Sequence, residues 1–157
     1  MRIAVAADHR GYVAKEKVAL MLSEQGHEII DMGTNSARSC DYTDTGYAAA
    51  KAVADGSVER AILLCGSGIG MSIAANKVHG VRAALCGDEL TAQMSRRHNN
   101  ANVLCLAADL LSEELMRRIV EVWLETDFET GRHQRRVDKL TMIERGEDPS
   151  TYNGPDK

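Results

Sequence analysis

The amino-acid sequence predicts an α/β fold in which a five-stranded parallel sheet lies between two layers of helices. Short apolar segments such as residues 3–7, 61–64 and 103–107 are typical of strands buried on both faces. Segments of helix-forming residues alternate with them, as in a parallel sheet. With 157 residues, of which 44% are hydrophobic, the chain is long enough to bury one continuous core. These observations predict a doubly wound, three-layer sandwich with a further helix near the C-terminus.

The first half of the chain shows two strand–helix units. Residues 3–7 predict the first strand, and residues 11–25 predict a helix that Gly26 terminates. Residues 27–32 predict the second strand, and the alanine-rich residues 46–54 predict the second helix. The rest of the chain repeats this alternation.

The second half contains three more strands and their helices. The predicted strands cover residues 60–65, 81–86 and 103–107, and the predicted helices cover residues 69–77, 88–97 and 113–124. Ser112 is placed to cap the last of these helices. A final helix over residues 131–145 follows the alternating pattern.

The predicted domain covers residues 1–145, and residues 146–157 form a C-terminal tail. The tail contains both prolines of the chain and shows no apolar period. We therefore expect the tail to be exposed.

The composition argues against several classes of protein. A net charge of −4 lacks the basic footprint of a nucleic-acid-binding protein. No apolar stretch approaches the roughly 18 residues of a membrane helix, and the apolar run at the N-terminus is too short for a signal peptide. The four cysteines are widely spaced without a C-x-x-C pair, so we expect reduced thiols. These features predict a cytoplasmic protein that binds neither nucleic acid nor membranes.

A doubly wound (Rossmann-like) sheet binds ligands beyond the carboxyl ends of its strands. The candidate residues are therefore those that directly follow the predicted strands. They are Asp8 and His9, Gly33 and Thr34, Cys65 to Gly70, Gly87 and Asp88, and Ala108 and Asp109.

The most informative segment is Cys65-Gly66-Ser67-Gly68-Ile69-Gly70, which follows a buried strand and opens a helix. Its glycines permit a tight turn, and amides at a helix start suit a phosphate or an oxyanion. It has neither G-K-[ST] nor a full dinucleotide fingerprint, so a purely structural turn is the alternative. At such a position the thiolate of Cys65 is favoured and suits proton abstraction next to a carbonyl. The alternative is a small apolar residue that ends a strand.

Three further groups have both a functional and a structural interpretation. The pair Asp8-His9 suits phosphate binding or proton transfer, although polar pairs often only close a strand. Residues 96–100 (Arg-Arg-His-Asn-Asn) end a helix, where cations also stabilise the helix dipole. Arg132 and Arg136 share a helix face and form either a phosphate clamp or a solvated basic face. Together the groups supply a base, an oxyanion cradle, an acid–base histidine and a phosphate clamp.

These segments resemble ribose-5-phosphate isomerase type B, in the group that also includes galactose-6-phosphate isomerase. The resemblance covers about residues 1–145 in the family's order. It rests on residues 3–11 (IAVAADHRG), 40–42 (CDY), 65–77 (CGSGIGMSIAANK), 95–103 (SRRHNNANV) and 131–137 (GRHQRRV). The galactose branch generally lacks the cysteine of the glycine loop, so Cys65 favours the ribose branch.

The resemblance implies a cofactor-independent aldose–ketose isomerase that interconverts D-ribose 5-phosphate and D-ribulose 5-phosphate, with no metal site. Cys65 would carry the proton between C1 and C2, with Ser67 assisting, and His98 would open the furanose ring. The implied substrate-binding residues are Asp8, His9, Tyr42, Gly66, Gly68, Ile69, Gly70, Asn99, Arg132 and Arg136. Among them the glycine loop would hold the enediolate, and His9 with the two arginines would bind the phosphate.

The resemblance also implies an assembly. The family forms dimers, often paired into tetramers, and each site is completed by residues of the neighbouring subunit. The expected partners are therefore a second copy of this chain and a phosphorylated small sugar.

Two departures from the family pattern bear on the substrate. Asp109 stands where the family usually has an arginine that helps to hold the phosphate, and an acid there would repel a dianion. Arg97, where relatives often have an uncharged residue, is a candidate to compensate. The segment after Tyr42 is two residues longer than in the family and lacks its proline. A four-carbon or six-carbon aldose phosphate is therefore the alternative substrate.

Two other classes of function compete with an isomerase. A non-catalytic sugar-phosphate binding protein would fit the same fold, but binding alone needs neither Cys65 nor His98. A redox sensor that uses Cys65 would need a resolving cysteine, and none lies nearby in the sequence.

Overall fold

The computed structural model describes residues 1–154 and contains the predicted strand–helix alternation. The strands are β1 (Arg2–Ala7), β2 (Glu28–Asp31), β3 (Arg60–Cys65), β4 (Ala83–Leu85) and β5 (Val103–Ala107). The helices are α1 (Tyr12–Glu24), α2 (Tyr42–Ala54), α3 (Ile69–Ala75), α4 (Glu89–Asn99), α5 (Glu113–Glu125) and α6 (Arg132–Glu144), followed by a 3₁₀ turn (Pro149–Thr151).

All five strands are parallel and lie in the order β2-β1-β3-β5-β4. The chain moves outward from β1 to β2 and then crosses to β3, so the direction of winding changes between β1 and β3. The three central strands are almost fully buried because helices cover both faces of the sheet. The predicted doubly wound α/β fold is confirmed.

Each face of the sheet has its own apolar core. On one face α1, α4 and α5 pack through large side chains, among them Leu22, Ile119 and Trp123. On the other face α2 and α3 pack through small ones, so the helices approach closely. At Gly46 the spacing between α2 and α3 leaves no room for a side chain, because an added Cβ would lie 2.8 Å from Met71 Sδ.

Helix α2 begins at Tyr42, four residues before its predicted start at residue 46. The residues of this first turn, Thr-Asp-Thr-Gly after Tyr42, have low helix propensity, so the sequence pattern favoured a loop. Packing of α2 against α3 provides the stabilisation that propensity does not. The predicted start of this helix at residue 46 was wrong, and Tyr42 stands on the first turn of α2.

The segment predicted as an exposed tail lies partly against α6. Asp148 accepts a hydrogen bond from the Ser150 amide at 2.8 Å, which closes the 3₁₀ turn. The Tyr152 hydroxyl donates to Asp138 Oδ2 at 3.0 Å, so the described part of the segment returns to the preceding helix. Residues 155–157 lie outside the described part of the chain.

None of the helices within residues 1–154 combines the length and the apolar character needed to cross a membrane. The cytoplasmic location expected from the sequence stays a prediction.

Candidate active site

A cleft of about 380 Å³ opens at the carboxyl ends of the central strands. Parallel strands bring the residues that follow them to this one edge, where a doubly wound sheet binds its ligands. Six of the predicted site residues line the cleft, namely Asp8, Tyr42, Cys65, Gly66, Ser67 and Gly70, together with Arg10, Asp109 and Leu110. His98, Asn99, Arg132 and Arg136 do not line it.

Cys65 is the last residue of β3 and is 4% exposed. The backbone amide of Gly68 donates a hydrogen bond to Cys65 Sγ at 3.1 Å. This amide therefore points directly at the sulfur, where a ligand in the cleft would meet it.

Gly68 takes the position before α3 with φ of +72°, a conformation that side-chain-bearing residues rarely adopt. A Cβ at this residue would also lie 2.4 Å from Leu85 Cδ1 and 3.0 Å from the carbonyl carbon of Leu106. The glycine is therefore required for the turn that aims its amide at the Cys65 sulfur.

Asp8 and Tyr42 form two walls of the cleft. Asp8 is 6% exposed, and its Oδ1 accepts the amides of Arg10 at 2.9 Å and Gly11 at 3.0 Å, which fixes the carboxylate at the end of β1. The ring of Tyr42 lies on Gly70, where a Cβ would be 2.7 Å from the ring carbons. The glycine loop and α2 are thus in direct contact across the cleft.

Ser67 and His9 stand at the margin of this arrangement. Ser67 is exposed, and its Oγ accepts the Ile69 amide at a long 3.4 Å, so its hydroxyl is available to a ligand. The His9 ring has Nδ1 at 3.3 Å from both the amide nitrogen and the carbonyl oxygen of Cys40. This contact ties the end of β1 to the segment that leads into Tyr42.

Asp109 is paired with a cation that the sequence did not single out. Arg10 Nε donates to Asp109 Oδ2 at 2.6 Å, and this hydrogen bond raises the pKa of Arg10. Both side chains lie directly over Gly66, where a Cβ would be 2.6 Å from Asp109 Oδ2 and 2.9 Å from Arg10 Nε. Arg10, and not the Arg97 that the sequence suggested, therefore pairs with Asp109.

A second group of predicted site residues lies at the opposite edge of the sheet. Helix α4 starts after the carboxyl end of β4 and returns the chain to the start of β5, so His98 and Asn99 end at the amino edge. Strand β5 has five residues, which corresponds to about 16 Å of extended chain. Within one chain, His98 and Cys65 are therefore separated by the length of the central strands.

The group at the amino edge is organised around two stacked imidazoles. The His98 and His133 rings are 4.2 Å apart and parallel to within 5°. Arg132 Nε lies 3.4 Å from His133 Nε2, and Arg136 Nη1 lies 3.5 Å from His133 Nδ1. The phosphate clamp and the acid–base histidine of the sequence prediction are thus brought together, although apart from Cys65.

Charge and burial act on His133 in the same direction. This residue is 4% exposed, and burial, followed by electrostatic interaction with His98, Arg132 and Arg136, lowers its pKa. Glu129 opposes the shift, with Oε2 at 3.8 Å from His133 Nε2. The surroundings of His133 therefore disfavour the protonated form of its imidazole.

Arg96 and Arg97 have partners of their own. Arg97 pairs with Glu129 through Nε and Nη2, so it lies at the amino edge and not beside Asp109. Arg96 is buried and donates to the carbonyl oxygens of Ala101 at 2.5 Å and Thr126 at 3.3 Å. Arg96 thus has the structural role of closing the end of α4.

Residues His98, Glu129 and His133 have ligand atoms within 4.8 Å of one another. The imidazole lone pairs lie in the planes of rings that are nearly parallel, so they point alongside each other and not at one point. A shared metal ion would require at least one ring to rotate, and the arrangement is that of stacked rings.

The comparisons with known proteins agree with this geometry. The chain matches the family model "Ribose/Galactose Isomerase" over residues 3–140. This chain belongs to that family. It is 45% identical over 143 residues to ribose-5-phosphate isomerase B of Escherichia coli, covering 91% of this chain and 96% of the relative. The expected resemblance and the expected class of enzyme, an aldose–ketose isomerase, are confirmed.

Two further proteins extend the comparison. The solved structure of ribose-5-phosphate isomerase B from Clostridium thermocellum superposes with a TM-score of 0.92 at 45% identity, covering 93% of this chain and 99% of that one. The D-erythrulose-4-phosphate isomerase of Pectobacterium atrosepticum is 38% identical over 148 residues, covering 94% of this chain and 97% of the relative. Proteins similar to this chain therefore differ in the sugar phosphate that they are named for.

The sequence did not identify Arg10, Glu129 or His133 as site residues. Arg10 directly follows Asp8-His9 at the end of a strand, so its position was a usable signal. For Glu129 and His133 the sequence holds no such signal, because their role depends on contact with the end of α4 about 30 residues away.

Proposed function

We propose that this chain interconverts D-ribose 5-phosphate and D-ribulose 5-phosphate without a cofactor, with Cys65 as the base. The observation that carries the proposal is the contact of Cys65 Sγ with the Gly68 amide in a cleft at the ligand-binding edge of the sheet. A cysteine sulfur beside a backbone N–H donor suits the removal of a proton next to a carbonyl, because the same loop offers donors to the oxyanion that forms.

The proposed reaction moves one proton from C2 to C1 and one proton from the C2 oxygen to the C1 oxygen, and the carbonyl moves from C1 to C2. The Cys65 thiolate removes the proton from C2 of the open-chain aldose, and the electron pair shifts to the carbonyl oxygen on C1, giving an enediolate. Backbone amides of the loop from Gly66 to Gly70 stabilise the developing oxyanion. The hydroxyl proton then moves from the C2 oxygen to the C1 oxygen, and return of the first proton to C1 forms the C2 carbonyl, regenerates the thiolate and leaves the ketose.

The walls of the cleft provide contacts for the sugar hydroxyls. Asp8 Oδ1 is occupied by backbone amides, so Oδ2 is the acceptor that a hydroxyl can reach. Tyr42 and Ser67 are exposed at the cleft and offer hydroxyls of their own. His9 stands beside Asp8 at the end of β1, where it suits the phosphate.

We propose that a second copy of the chain completes each site. His98, Asn99, Arg132 and Arg136 belong to the amino edge of their own chain, so a partner subunit has to bring its amino edge to this cleft. Ile69 and Ile73 are 53% and 56% exposed, four residues apart on α3, directly after the Cys65 loop. An apolar surface beside a cleft is typical of a subunit interface.

A four-carbon sugar phosphate is the second candidate substrate. The Tyr42 ring on Gly70 and the Arg10–Asp109 pair on Gly66 narrow the cleft from two sides. Such narrowing favours a shorter sugar, and one relative is named as a D-erythrulose-4-phosphate isomerase. A six-carbon sugar, the remaining alternative, needs more room than either of these.

The test is turnover of the purified protein on aldose phosphates with four, five and six carbons, with Cys65→Ala alongside. We expect preference for ribose 5-phosphate and a fall in kcat of about 10²- to 10⁴-fold in Cys65→Ala, since a general base contributes that much. Cys86→Ala is the matched control, because Cys86 is also buried, at 1% exposed, but lies outside the cleft. This control should keep the wild-type kcat.

Each outcome assigns a different function. Preference for the four-carbon sugar with the same loss in Cys65→Ala keeps the mechanism and changes the substrate. No turnover of any sugar, with sugar-phosphate binding intact in both proteins, would contradict catalysis at this cleft and leave a binding protein. Full activity of Cys65→Ala would exclude Cys65 as the base.

A further inference from the structure

The Arg10–Asp109 pair is built into the cleft beside the Cys65 loop. Arg10 Nε lies 2.6 Å from Asp109 Oδ2, and both residues line the cleft that also contains Cys65. The two residues are 99 positions apart in sequence and meet because they follow β1 and β5, on either side of β3. The pair thus spans the strand end that carries Cys65.

Stability of the fold does not account for this pair. The Arg10 and Asp109 side chains are 60% and 37% exposed. Ion pairs at such exposure contribute about 0–1 kcal/mol, because water screens the charges and ordering two side chains costs entropy. The absence of a side chain on Gly66, which leaves room for both groups, indicates a role at the site instead.

The geometry of the guanidinium leaves most of its donors available. Only Nε is used on Asp109, and neither Nη group has a hydrogen-bond partner among residues 1–154. The remaining N–H groups form the fork that matches two oxygens of a phosphate. Arg10 is moreover the only cation that lines the cleft within residues 1–154, where Asp8 and Asp109 contribute two carboxylates. Within one chain, Arg10 is therefore the lining residue that offsets the acids for a phosphate dianion.

We propose that Arg10 binds the phosphate of the substrate through its Nη groups and that Asp109 is a positioning residue that orients the Arg10 guanidinium. This inference rests on the proposed function, because it assumes that the cleft takes a phosphorylated sugar. It makes the pair a determinant of substrate size, since the distance from the pair to Cys65 limits the chain between the phosphate and the reacting carbons.

The first test replaces Arg10 by methionine and measures two quantities. These are KM for the preferred sugar phosphate and the inhibition constant of inorganic phosphate. We expect both to rise about 10- to 100-fold, as for the loss of a charge-assisted hydrogen bond, with kcat changed less than about twofold. Arg2→Met is the matched control, because Arg2 is a half-exposed, ion-paired arginine at the opposite end of β1. It should leave both quantities unchanged.

The second test asks whether Asp109 acts through Arg10. In Asp109→Asn the guanidinium loses its anchor, and we expect both constants to rise about threefold. In the double variant Arg10→Met/Asp109→Asn phosphate should bind no more weakly than in Arg10→Met alone, because no unpaired carboxylate then faces it. A purely structural role for Asp109 would instead add its own loss to that of Arg10→Met.

Specific results would overturn the inference. Unchanged KM and unchanged inhibition by phosphate in Arg10→Met would show that Arg10 does not bind the phosphate. A fall in kcat at constant KM would place Arg10 at the reacting carbons instead. Arg10→Lys, which keeps the charge without the fork, is the second variant and should bind phosphate between wild type and Arg10→Met.

Failure of the proposed function gives a different pattern of results. If wild type turns over none of the sugar phosphates, the binding of inorganic phosphate to wild type, Arg10→Met and Arg2→Met can be measured by calorimetry. Weaker phosphate binding only in Arg10→Met would then support an anion site at Arg10 in a protein that does not act as an isomerase. Equal binding in all three proteins would overturn it.

Discussion

The two groups of site residues differ in how the fold builds them. At the carboxyl edge, Cys65 and Asp8 are nearly buried at strand ends and are held by backbone amides. At the amino edge, His98 and His133 lie on two different helices and are held by side-chain contacts alone. The first group is positioned by the sheet, and the second by the packing of α4 against α6.

The two groups suit different tasks, proton removal and phosphate binding, because these tasks require different precision of placement. Removing a proton from carbon requires a base fixed to within a fraction of an ångström, and strand ends anchored by amides provide that. Binding a phosphate, the role predicted for Arg132 and Arg136, relies on charge and tolerates longer side chains. Because the groups lie at opposite edges, the proposed activity needs two chains for each site.

The largest expected effect tests the separation of Cys65 and His98, which lie at opposite edges of the sheet in one chain. When Cys65→Ala and His98→Asn chains are co-expressed and the mixed dimer forms, one of its two sites carries both defects and the other carries neither. We expect each variant alone to have little activity and a statistical mixture to recover roughly a quarter of wild-type turnover, as symmetry requires of a shared site. Turnover of the purified mixture on ribose 5-phosphate measures this recovery.

The control for this experiment is a mixture of two variants at the same position, Cys65→Ala with Cys65→Ser, which should recover nothing. If the first mixture also stays at the level of its components, the site lies within one chain. The assignment of His98 to the partner's cleft would then be abandoned.

A smaller effect is expected from the glycine that aims an amide at Cys65. In Gly68→Ala the positive φ and the contacts with Leu85 and Leu106 should lower the free energy of unfolding by about 2–4 kcal/mol. The displaced amide should also lower kcat. Urea unfolding at fixed protein concentration, followed by kinetics, measures both effects.

Gly87→Ala provides the comparison for this variant, since Gly87 also follows a strand but has open space around its Cβ position. Its free energy of unfolding should stay within about 0.5 kcal/mol of wild type. Equal stability of the two variants would mean that the Cys65 loop adapts to a side chain at Gly68 and does not depend on the glycine.

The smallest expected effect is the pH dependence contributed by His133. Its pKa in the folded protein is lowered from 6.5 by burial and by His98, Arg132 and Arg136, with Glu129 opposing. Below about pH 6.5 the unfolded chain takes up a proton that the folded protein resists, so stability falls as the pH decreases through that range. Thermal unfolding between pH 7.5 and pH 5, without phosphate in the buffer, should therefore be less pH-dependent in His133→Asn.

The matched variant is His79→Asn, which removes an exposed histidine. It should keep the wild-type pH dependence. A wild-type slope in His133→Asn would show that the amino-edge cations do not act on this imidazole in solution.

The sequence predicted the carboxyl-edge group almost completely, and physical locality explains why. Cys65, Gly66, Ser67 and Gly70 are neighbours in the chain, so a single strand–turn–helix segment determines their geometry. Asp8 joins them because the carboxyl ends of parallel strands meet at one edge. Tyr42 was also expected there, although its place on the first turn of α2 was not.

By itself, the sequence determined the fold class, the glycine loop and the candidate base, because each follows from residues that lie close together in the chain. The tertiary structure alone decided that Arg10 pairs with Asp109, that His98 stacks on His133, and that this stack and Cys65 lie at opposite edges of the sheet. Those contacts join segments that are distant in sequence, and their geometry depends on strand order and helix packing. A pattern of residue types predicts which strand ends share an edge of the sheet, but not which individual side chains make contact there.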